Sequence, residues 1–172
     1  MKKIQTLGLI LIAFLFISSS ACAQDKADRP SPPKTAEATL AGGAVTIDYG
    51  SPAVKGRTVW GDLVPYDKIW RTGANEATTI MLEKDMKVGG KLIKAGKYAL
   101  FTVPGKDEWT VILNSEWDQW GAYNHDGSKD VHSFKVKPMM GDEMHERLMF
   151  DISESGQVTM MWEKLSISFE IG

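Results

Sequence analysis

Apolar and polar residues alternate along most of this chain. From Leu165 to Ile171 every second residue is apolar and the residues between them are polar. A period of two predicts strands with one buried face and one solvent face. Shorter runs of the same kind, separated by glycine-containing turns, predict further strands at residues 36–40, 45–49, 78–82, 86–93 (folded back at Gly89 and Gly90), 97–103, 109–114, 132–136, 148–152 and 158–162.

These runs favour an all-β domain. They amount to about ten short strands with tight turns, without a long helical period, which is typical of an antiparallel β-sandwich or jelly roll. Gly42-Gly43 and Gly89-Gly90 are both two-glycine hairpin signals. We therefore predict one all-β domain over residues 36–172.

Two stretches lack this alternation. Residues 50–77 hold aromatic, charged, proline and glycine residues without strand or helix periodicity, and residues 116–129 are similar in character. Long irregular connections in compact domains are usually functional loops or tightly packed Ω-type loops. We expect any functional site to lie between these two stretches.

The first 23 residues resemble an export signal. Lys2 and Lys3 precede an apolar run at residues 7–17, and small residues follow at 18–23. The run is shorter than the roughly 20 apolar residues that span a bilayer. A polar, proline-rich leader at residues 24–35 then precedes the domain. The chain is accordingly predicted to be exported, to the periplasm or the cell exterior.

The end of this signal has two interpretations. Ala21-Cys22-Ala23 before Gln24 matches an A-x-A cleavage site, and cleavage there would remove the single cysteine of the chain. Alternatively Cys22 accepts a lipid, as in a bacterial lipoprotein, although Ser19 stands where such motifs usually have leucine. Simple cleavage matches more completely. A membrane association is predicted only if Cys22 is lipidated.

The net charge of the chain argues against partners that carry many negative charges. The chain of 172 residues has 20 basic and 22 acidic side chains, and loss of residues 1–23 removes only Lys2 and Lys3, which leaves 18 against 22 and a net charge of −4. Nucleic acids and anionic membranes require clustered Lys and Arg. We predict no nucleic-acid partner. With one cysteine, the domain forms no internal disulfide and depends on packing for its stability.

Three long blocks carry a family resemblance. They read YGSPAVKGRTVWGDLVPYDKIWRTGANEATT, AGKYALFTVPGKDEWTVILN and WGAYN. The sequence resembles the bacterial exported family catalogued as domain-of-unknown-function family 2911, over nearly the whole chain from Arg29 onward. The resemblance implies domain identity and export. It implies no activity, substrate or cofactor, and it assigns no catalytic residue.

The 50–77 stretch contains a group of side chains suited to ligand binding. Indoles stack on sugars or apolar rings, and guanidinium groups bind carboxylate or phosphate. The alternative is structural: the two indoles close the open end of a sandwich, Arg71 pairs with Glu76, and Asn75 binds loop backbone. The members of the group are Arg57, Trp60, Trp70, Arg71, Asn75 and Glu76.

A second aromatic group lies at residues 116–129. Trp117, Trp120 and Tyr123 would form a stacking platform for a glycan or peptide if exposed, and a satellite core if buried. The sequence leaves both open.

No motif indicates a metal, a cofactor or catalysis. His125, His132 and His145 lack zinc-ligand spacing, and no serine has a G-x-S-x-G setting. The methionines late in the chain can suggest a soft metal, but loop and core filler is favoured. We predict no metal site, no cofactor and no catalytic residue.

Three functions follow. The leading hypothesis is a non-enzymatic, exported cell-envelope domain that binds a glycan or small molecule. The first alternative is an envelope hydrolase that uses Glu76 or an aspartate with arginine support. The second is a structural or assembly protein in which the aromatic loops are buried and no pocket exists.

Overall fold

The computed structural model describes residues 26–40 and 43–172. The predicted export signal, its two alternative processing sites and Gly42 of the first hairpin turn lie outside the described residues. Two three-residue 3₁₀ helices occur, Lys26–Asp28 and Gly127–Lys129. Within the described ranges, no helix is long and apolar enough to cross a membrane.

Ten strands make up the described fold. In chain order they are β1 (Pro33–Leu40), β2 (Gly43–Gly50), β3 (Thr79–Leu82), β4 (Met86–Val88), β5 (Lys91–Ile93), β6 (Gly96–Val103), β7 (Trp109–Asn114), β8 (Asp130–Val136), β9 (Met139–Ile152) and β10 (Gln157–Glu170). The predicted all-β, antiparallel class is confirmed. β1 begins at Pro33, so the last three residues of the predicted leader belong to the sheet.

The larger layer is a six-stranded antiparallel sheet. Its order is β1-β2-β3-β6-β7-β8, so neighbouring strands follow one another along the chain except where the β4–β5 hairpin is inserted between β3 and β6. β1 and β2 pair from Pro33 opposite Gly50 to Leu40 opposite Gly43. This register fixes which residues of β2 face the core.

The second layer is built on the long β9–β10 hairpin. At one edge, Val54 donates a backbone hydrogen bond to Glu146, and Leu148 donates one to Pro52. At the other edge, Val88 of β4 forms a bridge with Ile171. The segment after β2 and the β4–β5 hairpin therefore extend this layer, and the two layers together form the sandwich.

The main core lies between the layers. Val45, Ile47 and Tyr49 of β2 face it from the large sheet, and Met160 and Trp162 face it from β10. All are largely buried, and each buried aliphatic side chain contributes about 1.5–3 kcal/mol relative to its exposed state. The period of two in the sequence arises because alternate residues of each strand enter this core.

One strand boundary was predicted wrongly. The sequence suggested separate strands at residues 158–162 and 165–171, because the apolar phase slips between Trp162 and Leu165. The structure has the single strand β10, with register shifts around Glu163, whose φ is 59°. The additional residues at these shifts lie on β9, and the left-handed backbone at Glu163 returns the apolar side chains of β10 to the same face.

A smaller core covers the opposite face of the large sheet. Ala99 and Phe101 of β6 and Ile112 of β7 are buried there, packed against Ile69 and Ala122 from the irregular stretches. The central strands are therefore buried on both faces. The two loops that the sequence singled out are held against this outer face, and that position creates the site described next.

Candidate functional site

The first aromatic group divides between core and surface. Trp60 and Trp70 lie against Trp109 and Trp162, with ring centroids between 5.0 and 6.3 Å apart and mostly edge-to-face geometry. Trp70 is buried, and its Nε1 donates to the Gly73 carbonyl at 3.2 Å. Trp60 and Trp70 therefore close one end of the sandwich core, as the structural alternative required. Neither residue lines the candidate site.

The two arginines of that group do not meet in a pocket. Arg57 donates from Nε to the Val54 carbonyl at 3.0 Å and from Nη2 to the Ala53 carbonyl at 2.5 Å, so it fixes its own loop. Arg71 is half-buried, and burial lowers the pKa of its guanidinium, while the electrostatic interaction with Tyr123 raises it. Glu76 pairs with Lys26 and Arg29 instead of Arg71, which corrects the pairing that the structural alternative expected.

A cleft of about 340 Å³ lies where the amino-terminal segment crosses the large sheet. It is bounded by that segment, by β1, β2 and β6, and by the loops at residues 75–77 and 117–119. The lining residues are Lys26, Arg29, Pro33, Lys34, Thr35, Asp48, Tyr49, Gly50, Asn75, Glu76, Ala77, Thr79, Lys97, Trp117, Asp118 and Gln119.

Backbone hydrogen bonds join the two predicted loops beside this cleft. Ala77 donates to the Gln119 carbonyl at 2.9 Å, and Gly121 donates to the Asn75 carbonyl at 3.0 Å. Asn75 has a φ of 65°, a left-handed conformation that asparagine tolerates better than most residues. The short ladder brings Glu76 opposite Trp120. The polar part of the first loop and the aromatic part of the second thus share one surface.

The amino-terminal segment is attached to this ladder by side chains. Arg29 Nη1 lies 3.0 and 2.9 Å from the two carboxylate oxygens of Glu76, and Lys26 Nζ lies 3.3 Å from Oε1. Asn75 Nδ2 donates to the Ser31 carbonyl at 2.9 Å. Asn75 therefore binds backbone, as the structural interpretation expected. These contacts hold the segment as one wall of the cleft.

The charge of Glu76 is stabilised in place. Burial by itself would raise the pKa of its carboxyl, but hydrogen bonds from its own backbone, Arg29 and Lys26, together with the charge of Lys26, lower the pKa overall. Glu76 is consequently ionised at neutral pH. A carboxylate held in this way positions its neighbours and accepts hydrogen bonds; it is poorly suited to donate a proton.

The opposite wall carries a second pair of charges. Lys97 Nζ on β6 lies 3.6 Å from Asp48 Oδ2 on β2 and 4.9 Å from the centre of the Trp117 ring. Arg29 lies over Trp120 in the same manner, at 5.8 Å. Each indole thus has a cation beside one face, an arrangement that favours a fixed ring orientation.

The aromatic rim is exposed. Trp117, Trp120 and Tyr123 have exposed fractions of 40%, 55% and 83%. Of the two interpretations of this group, the structure therefore rejects the satellite core. Trp117 lines the cleft itself, while Trp120 flanks it through its contact with Arg29.

Asn114, at the end of β7, anchors the loop that carries this rim. Its side chain is buried and donates to the Asp126 carbonyl at 2.9 Å and to Asp130 Oδ1 at 2.7 Å, while its Oδ1 accepts from the Glu116 backbone at 2.9 Å. His125 Nε2 also lies 2.9 Å from Asp130 Oδ1. The loop is therefore closed at both ends by one amide and one carboxylate.

Sequence reasoning missed several members of this cleft. Arg29 and Lys26 sit in the leader that was predicted to precede the domain, and Lys97 and Asp48 occupy solvent-facing strand positions that look unremarkable. The family resemblance began at Arg29, and that start was the one signal that the leader belongs to the domain. Of the predicted residues, Asn75, Glu76 and Trp117 line the cleft, and Trp120 flanks it.

Comparison with known proteins agrees with the resemblance seen in the sequence. The model of the family described as protein of unknown function (DUF2911) matches residues 31–171, so the chain belongs to that family. Searches of the curated proteins and of the solved structures gave no match.

Proposed function

We propose that this domain is an exported, non-enzymatic module of the cell envelope whose cleft binds a glycan. The export part rests on the features of residues 1–23 and on the resemblance stated above. The binding part rests on the cleft between the amino-terminal segment and the aromatic loop.

One observation carries the proposal. Two indoles that are oriented by neighbouring cations stand exposed at a cleft whose lining carries several charged and amide side chains, Trp117 in its lining and Trp120 beside it. Large aromatic side chains are usually buried, so two exposed together need a partner to cover them. The π-face of an indole and the apolar face of a sugar ring are complementary, while the sugar hydroxyls form hydrogen bonds with the surrounding polar groups.

The charges of the lining favour a neutral or weakly charged ligand. Four cations, Lys26, Arg29, Lys34 and Lys97, face three carboxylates, Asp48, Glu76 and Asp118. Most of these charges are already paired with one another. A strongly anionic ligand would have to break those pairs, whereas the hydroxyl groups of a sugar can bond to them as they stand.

The hydrolase alternative gains no support from this geometry. A glycosidase requires one carboxylic acid that stays protonated near the working pH. Glu76 has the opposite property, because Arg29 and Lys26 bind its carboxylate and its pKa is lowered. The purely structural alternative is disfavoured by the exposed rim and by the cleft itself.

A glycan array of bacterial envelope oligosaccharides tests the proposal. We expect the full chain to retain one class of oligosaccharide, and Trp117→Ala combined with Trp120→Ala to abolish that retention. Leu92→Ala is a matched control, because Leu92 is 57% exposed and is not among the residues that line the cleft. An array without any retained glycan, or retention unchanged in the double variant, would refute glycan binding at this cleft.

A further inference from the structure

Exposed methionines line the β9–β10 hairpin. Met139, Met140, Met144 and Met149 have exposed fractions of 67%, 68%, 48% and 39%. The sequence favoured core or loop filler for these residues, and Met160, which is fully buried, fits that role. The other four are at least partly exposed to solvent, so core packing alone does not account for them. Their concentration on one strand needs another explanation.

Two of the thioethers lie side by side on the outer face. Met149 of β9 is the cross-strand partner of Met161 of β10. The inner positions beside them, Leu148 and Phe150 on β9, are buried in the core, so Met149 and Met161 point the other way. Side chains directly opposite one another in an antiparallel pair have Cβ atoms about 4.5–5.5 Å apart. Methionine side chains of this flexibility can bring both sulfurs to one point.

An imidazole lies next to one member of this pair, Met161. A shallow cleft of about 230 Å³ on the outer surface of the hairpin is lined by both His145 and Met161. His145 is the cross-strand partner of Glu163, two positions after Met161 on β10. The imidazole of His145 therefore lies near Met161, whose cross-strand partner is Met149. The same cleft is also lined by Asp142, Glu143, Thr159 and Lys164.

We infer that Met149, Met161 and His145 form a binding site for a soft monovalent metal ion, Cu(I) or its analogue Ag(I). Thioether sulfur is a soft ligand that selects Cu(I), and imidazole also suits copper. Hard divalent ions prefer all-oxygen sites, which two thioethers do not provide. Within the described residues, no group of three or more His, Cys, Asp or Glu side chains could hold such a hard ion.

The surrounding charges fit a singly charged cation. Asp142 and Glu143 supply two negative charges in the cleft and Lys164 supplies one positive charge. The excess of one carboxylate favours a cation near the thioethers, and the choice of a soft monovalent ion rests on the thioether and imidazole ligands. This site lies on the hairpin layer and is separate from the aromatic cleft, which involves none of these residues.

Silver titration of the full chain tests the inference without redox chemistry. We expect native mass spectrometry to show one Ag(I) per chain, and methyl spectra of the methionines to show shifts at Met149 and Met161. Anaerobic competition with a Cu(I) chelator then gives the affinity. Met149→Leu, Met161→Leu and His145→Gln should each weaken Cu(I) binding by at least about tenfold. Leucine conserves the volume of methionine at these outward positions, so the fold should persist, as circular dichroism can verify.

Met81→Leu is the matched control. Met81 is 41% exposed but lies on β3 of the other layer, so its loss should leave the affinity unchanged. The inference is overturned if the chain fails to take Cu(I) from the chelator and binds no Ag(I). It is also overturned if the three site variants bind as tightly as the wild type, or if Zn²⁺ displaces the Ag(I).

Discussion

Arg29 and Glu76 lie 47 positions apart in the chain, yet one guanidinium nitrogen of Arg29 contacts both carboxylate oxygens of Glu76, at 3.0 and 2.9 Å. The pair connects the amino-terminal segment to the first irregular loop. Because Arg29 also lies over Trp120, the same contact reaches the aromatic rim. The cleft therefore depends on a residue that precedes the first strand.

This pairing predicts a pH-dependent loss of stability. The pKa of Glu76 is lowered in the folded state from its usual value of 4.5, so its contribution is fully present above that pH and disappears as the pH falls through the folded pKa. Glu76→Gln should reduce the free energy of unfolding by about 0.2–1 kcal/mol at pH 7, because the pair is partly exposed. The deficit should vanish as the pH falls below the folded pKa.

Urea unfolding at several pH values measures this difference. Glu37→Gln is a control, since Glu37 is an exposed carboxylate on β1. A deficit of Glu76→Gln that stays constant down to pH 3, or that Glu37→Gln reproduces, would contradict the assignment.

The indole cluster and the indole rim should respond differently to truncation. Trp70 is buried among three other tryptophans, so Trp70→Ala should lower the free energy of unfolding by about 3–5 kcal/mol. Trp117 is exposed, and Trp117→Ala should change it by no more than about 1 kcal/mol. Chemical denaturation of both variants checks this contrast. Similar losses in the two variants would mean that Trp117 belongs to the folding core.

Asn114 should stabilise both the fold and the loop that carries the aromatic rim. Asn114→Ala removes a buried amide that closes the 115–130 loop and leaves the Glu116 N–H without its acceptor, so stability should fall by about 1–3 kcal/mol. The rim should become more mobile because its loop loses an anchor. Hydrogen exchange of the loop amides should accelerate relative to β6. Unchanged exchange at residues 116–123 would show that the loop is held by other contacts.

The fold was largely readable from sequence because strand alternation is a local property. Phe169 and Ile171 face the core for the same reason that Ser168 and Glu170 face solvent, and neighbouring residues suffice to show it. The slip between Trp162 and Leu165 was also visible. It was interpreted as a boundary between two strands, because a bulge and a strand boundary produce the same shift in the alternation of apolar residues.

The site was readable only in part because its members meet through the topology. Trp60 and Trp117 look alike in composition and setting, yet one packs against Trp109 and the other faces the cleft. Arg29 was hidden by its proline-rich neighbours, and the structural alternative paired Glu76 with Arg71, its nearer neighbour in sequence. Spacing along the chain cannot reveal which cation reaches a carboxylate across a sheet.

The most direct test of the proposed function uses the six indole N–H signals of the chain. In a ¹⁵N spectrum, titration with the oligosaccharide that the array retains should shift the signals of Trp117 and Trp120. The signals of the four core indoles, which pack on one another, should not shift. These belong to Trp60, Trp70, Trp109 and Trp162. Shifts confined to those four, or no shift at Trp117 and Trp120 at saturating glycan, would contradict binding at the aromatic cleft.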